Sequence, residues 1–130
     1  SWAAYIRELH FLEVNVNIHD DVTLTDKNAR LLLFHIVREL LFNVVKHAEV
    51  DQAFLEVKQE DNELIISVRD EGKGFDAEAL LKEGRRTSFG LYSINERLNL
   101  LDGRLEIHSI PGDGTRVDIF IPLSSETRRV

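Results

Sequence analysis

The sequence predicts a mixed α/β domain, and three observations carry that reading. Five stretches alternate apolar and polar residues at period two, as half-buried strands do. One long run, Phe34 to Ala48, contains neither Gly nor Pro and repeats apolar residues at helical spacing. Turn residues separate the stretches, and Pro111-Gly112-Asp113-Gly114 is a hairpin signal between two of them.

With 130 residues the chain suits one domain with a real core and is too short for two. Its 43% hydrophobic and 30% charged residues are ordinary for a globular fold. Cysteine is absent, which excludes disulfides, thiolate chemistry and Cys-based metal sites. A formal net charge of −7 argues against nucleic-acid binding through a basic face. No apolar run nears the roughly 20 residues that span a bilayer, and no signal-peptide pattern opens the chain. A cytoplasmic domain with no membrane contact of its own is therefore the expectation.

Trp2 to Leu12 sets Ile6, Leu9 and Leu12 at helical spacing and reads as the tail of an upstream helix. On that reading 1–12 is a linker, 13–123 the domain and 124–130 a polar tail. Arg7-Glu8-Leu9-His10 has the look of a phosphoacceptor-histidine motif, which requires a helical hairpin to follow. Instead Glu13 to His19 alternates as a strand, with Val14, Val16 and Ile18 on one face, so His10 reads as a surface or linker histidine. Asp20-Asp21 makes a turn, and Thr25 or Asp26 caps a long helix expected to reach Ala48. Ala53–Gln59 and Leu64–Arg69 read as a hairpin of strands. Asp76 to Leu81 reads as a short helix. Lys82 to Phe89, with Arg85 and Arg86, is either a lid or a solvated loop. Leu91, Ile94, Leu98 and Leu101 form the stripe of another helix, stopped by Asp102-Gly103. Arg104–Ser109 and Thr115–Leu123 are the closing strands.

Chemistry concentrates at three places. On the long helix Leu33, Ile36, Val37, Leu40, Val44 and Ala48 share an apolar face, while His35, Glu39, Asn43 and Lys46 line a second ridge. A carboxylate, an amide and an ammonium in a row suit a metal-bound polyphosphate, since Mg²⁺ takes one or two protein oxygens and a Lys supplies a point charge. The same stripe also suits a plain solvated face, the commoner meaning of such a pattern. Asp70-Glu71-Gly72-Lys73-Gly74 follows a strand. Its glycines either let a ligand approach bare backbone or form a plain turn, and its Asp can accept from an exocyclic amine. Gly90-Leu91 opens a helix whose first amides can meet an anion.

In this order, and with Gly112-x-Gly114-Thr115 behind them, the motifs resemble the ATP-binding catalytic domain of sensor histidine kinases. That domain belongs to the superfamily of gyrase, the ninety-kilodalton chaperones and the mismatch-repair ATPases. Arg38-Glu39-Leu40-Leu41-Phe42-Asn43-Val44-Val45-Lys46-His47-Ala48 and Gly90-Leu91…Glu96-Arg97 are most similar to the nitrate/nitrite-sensor-like class. The resemblance implies a two-layer sandwich: a mixed, mostly antiparallel sheet covered on one face by about three helices. It implies ATP and Mg²⁺ as ligands, with Asn43 on the metal and Lys46 and His47 near phosphates or ribose. Asp70 would read the adenine amine beside Gly72 and Gly74, and Thr115 would support it. Gly90 and Leu91 would border the phosphates, and Glu39 would be a general base or water-orienting group. The implied partners are a histidine-bearing dimerisation domain and a response regulator, with the fragment monomeric and its parent dimeric. Two other readings stay open: an anti-sigma-factor-type serine/threonine kinase, or a regulatory nucleotide-binding module without catalysis.

Overall fold

Period-two alternation becomes a single five-stranded sheet. In this computed structural model, which describes residues 12–19, 22–24, 26–78 and 90–123, the strands are β1 (Glu13–Ile18), β2 (Gln52–Glu60), β3 (Glu63–Asp70), β4 (Arg104–Ser109) and β5 (Thr115–Pro122). Their spatial order is β1-β2-β3-β5-β4. β1 runs parallel to β2 and every other pairing is antiparallel, which gives the mixed sheet expected. The expected upstream helix with His10, the Asp20-Asp21 turn, Thr25, the second half of the expected Asp76–Leu81 helix, the Lys82–Phe89 stretch and the polar tail lie outside the described residues.

Alternation sorts the two faces of the sheet. Ala53, Leu64, Ile66, Val68, Val117, Ile119 and Ile121 are buried beneath the helices. On the open face Phe54 and Phe120 are each covered by a guanidinium, Arg69 at 4.2 Å and Arg104 at 4.0 Å from the ring centres. Stacking lets an aromatic stay on a wet face while the charge keeps its hydration.

Two helices cover the other face among the described residues: α1 (Lys27–Asn43) and α2 (Leu91–Asn99). The resemblance implied about three. Ala29, Leu33, Ile36 and Leu40 of α1 are buried at the expected spacing, as are Ile94 and Leu98 of α2. Asp26 caps α1, its carboxylate accepting from the backbone N–H of Asn28 at 2.9 Å and Ala29 at 3.3 Å. Asp26→Ala should therefore cost about 1 kcal/mol in urea unfolding; an unchanged midpoint would show that the cap is idle.

One local correction matters for the site. The long helix does not stay α-helical to Ala48: from Val44 to Ala48 it widens into a π turn, ending at Glu49 with φ 61°. The second helix stops at Asp102-Gly103 as expected, the Gly103 N–H donating back to the Leu98 carbonyl at 2.9 Å. Asp102 itself takes the left-handed conformation, at φ 56°. Gly103 is small because a β-carbon there would fall 2.9 Å from the Phe120 carbonyl oxygen and 2.6 Å from Ile121 Cδ1.

Candidate functional site

Leu40 and Val44 of the α1 segment, Val68 of β3, and Ile107 and Val117 of the closing hairpin enclose an apolar cavity of about 170 Å³. Polar groups enter it from four directions. Asn43 arrives at the end of α1 and His47 on the π turn. Asp70 stands at the end of β3, opposite them, and Thr115 at the start of β5. Lys73, Gly74 and Phe75 come from the loop after β3, and Leu91 from the first turn of α2. Asn43 and Asp70, far apart in sequence and on separate elements, thus face one cleft.

The π turn bears on which helix residues reach it. In a regular helix Lys46 and His47, three and four residues on, would both share a ridge with Asn43. Across the wider turn only His47 of the two lines the cavity. Lys46 is exposed, with its ammonium 5.1 Å from the Phe42 ring centre, and does not line the cleft. Glu39 does not line it either. It is half-buried beside Gly90, where a β-carbon would lie 3.4 Å from its Oε2.

The loop Glu71–Phe75 is laced between two neighbours, and this explains its glycines better than ligand approach does. The Lys73 N–H donates to the Ala48 carbonyl at 3.1 Å, and the Gly112 N–H to the Lys73 carbonyl at 2.7 Å. A β-carbon on Gly72 would meet the Ala48 oxygen at 2.4 Å, and one on Gly74 the Ile110 oxygen at 2.3 Å. Gly72 is outside the cavity wall and Gly74 is part of it. Lys73 and Phe75 also line the cavity, positions that the Asp and Gly residues of the motif do not mark in the sequence. The Lys73 ammonium also pairs with Glu49 at 3.1 Å, both side chains being well exposed.

Asp70 is 6% exposed, and its Oδ1 accepts from the Gly72 N–H at 2.8 Å. Burial pushes its carboxyl above the usual carboxylate value, while the backbone N–H groups of Gly72 and Thr115 and the Arg69 charge pull it partway back.

Two other places hold polar groups without the same convergence. Glu106, His108 and Asp118 bring possible ligand atoms within 4.8 Å of one another. Asp118 is already held by Ser67 Oγ at 2.7 Å and Arg116 Nε at 3.1 Å, so its charge is matched. The wider hollow on the open sheet face is floored by these same paired groups.

Residues 28–125 match the family described as histidine kinase-, DNA gyrase B-, and HSP90-like ATPases. The chain belongs to this ATPase family. An uncharacterized sensor-like histidine kinase of Chloroflexus aurantiacus is 40% identical over 95 residues, covering 72% of this chain and 16% of the relative. DegS of Brevibacillus brevis, a signal transduction histidine-protein kinase/phosphatase, is 37% identical over 100 residues, covering 77% of this chain and 25% of DegS. The ATPase domain thus spans a quarter or less of these relatives' length. The blue-light activated histidine kinase of Erythrobacter litoralis superposes with a TM-score of 0.77 at 22% identity, over 98% of this chain and 42% of that one, and so shares the fold. No helix among the described residues is long and apolar enough to cross a membrane.

Proposed function

We propose that this ATPase domain is the catalytic part of a sensor histidine kinase, which passes the γ-phosphoryl group of ATP to a histidine on a separate dimerisation domain for relay to a response regulator. The supporting observation is the shared cleft of Asn43 and Asp70. At about 170 Å³ the enclosed part is smaller than the roughly 300–1,000 Å³ of a site that swallows a whole ligand. It suits one heterocycle, with sugar and phosphates toward the α1 and α2 side.

In this reading the apolar walls take the faces of adenine and Asp70 accepts from its amino group. Thr115 supports that end of the base. His47 and Lys73 lie nearer the ribose and phosphates, and Gly90 and Leu91 border the phosphates at the start of α2. The donors fit Mg²⁺: Asn43 offers a hard amide oxygen, and an ion that keeps most of its waters and takes phosphate oxygens needs no more than one or two protein ligands. When bound, Mg²⁺ would offset phosphate charge, which a chain of net charge −7 needs. Glu39, beside Gly90, is placed to orient a water or accept a proton on the phosphate side. Lys46, turned outward, is free of that role unless the helix end re-forms. The transfer breaks the γ-phosphorus–oxygen bond to ADP and forms a phosphorus–nitrogen bond on the acceptor histidine, and positioning and charge do most of the work.

Calorimetric titration tests the nucleotide half. ATP should bind this chain, chelating Mg²⁺ should weaken that binding, and Asn43→Ala should lose most of the Mg²⁺ dependence. A wild-type chain that binds no ATP overturns the reading. The phosphoryl half is tested in the longer parent protein with γ-labelled ATP: an acid-labile phosphoprotein supports a histidine acceptor, whereas an acid-stable one points to a serine/threonine kinase.

A further inference from the structure

We infer that Ser109, outside the cavity wall, is a positioning residue that fixes the Thr115 hydroxyl as a hydrogen-bond acceptor and thereby selects a 6-aminopurine over a 6-oxopurine. This rests on the adenine reading above and extends it to a residue that touches no ligand.

Ser109 ends β4 and is half-buried, and its hydroxyl meets three groups. The Phe75 N–H donates to it at 2.9 Å, the Gly114 carbonyl lies at 3.0 Å, and Thr115 Oγ1 lies at 2.8 Å. A serine hydroxyl has one proton and two lone pairs. The amide of Phe75 can only donate, so it occupies one lone pair. A carbonyl can only accept, so the Ser109 proton goes to Gly114. What remains facing Thr115 is a lone pair, and the Thr115 proton must fill it. Each capacity of Ser109 is then used once.

Thr115 lines the cavity, and its only proton is now directed away from it, so toward a ligand its hydroxyl offers lone pairs alone. Ionised Asp70 likewise only accepts. The floor built by these two side chains therefore presents acceptors and no donors. The exocyclic amine of a 6-aminopurine brings two N–H groups and suits it. A 6-oxopurine brings a carbonyl oxygen against acceptors, a mismatch that a site built for hydrogen bonding rejects strongly. Through its bond to the Phe75 N–H, the same hydroxyl also anchors the loop that carries the Phe75 wall.

The test compares ATP and ITP affinities of this chain at pH 8, where Asp70 is ionised, with melting curves alongside. Wild type should favour ATP strongly. In Ser109→Ala the Thr115 proton is released to turn into the cavity, so the ATP-to-ITP preference should fall about five- to tenfold, the scale of one hydrogen bond, mostly because ITP binds better. Ser109→Thr keeps the hydroxyl and should keep the preference. Equal losses for both nucleotides in Ser109→Ala, with the ratio unchanged, would reduce Ser109 to a structural part and overturn the inference. Should Ser109→Ala not fold, Thr115→Val removes the fixed acceptor directly: a reduced ratio supports the inference and an unchanged one overturns it. A wild type that binds both nucleotides equally defeats the inference alone. One that binds neither defeats the ATP reading beneath it as well.

Discussion

Asp70→Asn should weaken ATP binding by roughly 1–3 kcal/mol while shifting the melting temperature little. The side chain is nearly isosteric, but it puts an amide donor where the Asp70–Thr115 floor presents only acceptors, so the adenine amine meets an N–H. Stability responds differently because the carboxylate is costly in its place. Its folded-state pKa is raised, chiefly by burial. A raised value means the folded chain holds this proton more tightly than the unfolded one. The stability it contributes is fully present below the unfolded pKa and is lost as pH rises through the folded pKa. At neutral pH the ionised group is thus a burden that an amide relieves, against the loss of one backbone hydrogen bond. In wild type, ATP affinity should fall as acid protonates Asp70, beginning above the usual carboxylate range, and the variant should lack that phase. Equal affinity in both proteins at neutral pH would remove Asp70 from adenine recognition. A collapse of the melting temperature would recast it as a structural residue.

Gly114→Ala should cost about 3 kcal/mol or more in urea unfolding. Gly114 has φ +81°, where side chains are strained, and its β-carbon would fall 2.3 Å from the Asp70 carbonyl oxygen. That oxygen is backbone at the end of the central strand β3, held by the pairing of Asp70 with Thr115, so overpacking adds to the strain. Gly112→Ala is the matched control. Gly112 has φ +89°, yet nothing lies within 4 Å of an added β-carbon. It should lose only the conformational part, about 1 kcal/mol. Similar losses in the two variants would mean that the approach of the hairpin to Asp70 is not tight. If it is tight, Gly114→Ala should also weaken ATP binding, because it displaces Asp70, the residue proposed to read adenine.

Both results trace to how the 70–75 loop is held, and this is where the sequence was hardest to read. Its glycines read either as bare backbone awaiting a ligand or as a plain turn. In the fold Gly72 accommodates Ala48 and Gly74 accommodates Ile110 and Gly114. The sequence marks where a side chain is excluded but not what excludes it, since the excluding atoms are remote in the chain. Lys46 is a second instance. Its spacing from Asn43 was right for an α-helix, and the π turn redirected it. Nothing among Val44, Val45, Lys46, His47 and Ala48 breaks a helix, so the cause lies outside the segment. The Ala48 carbonyl is engaged by the Lys73 N–H, a bond that exists only once the loop has docked.

What the sequence determined by itself was every strand of the sheet, the two described helices and the buried faces of all but β1, whose Val16 and Ile18 are exposed; the convergence of Asn43 with Asp70 came only through the family resemblance. Period and burial are local properties, written residue by residue in the order of side chains. Tertiary structure alone decided that His47 and not Lys46 enters the cleft, that Lys73 and Phe75 wall it, and that Ser109 settles which way a threonine proton points. Those outcomes depend on hydrogen bonds between segments dozens of residues apart, and a donor's direction is defined only when its acceptor has arrived.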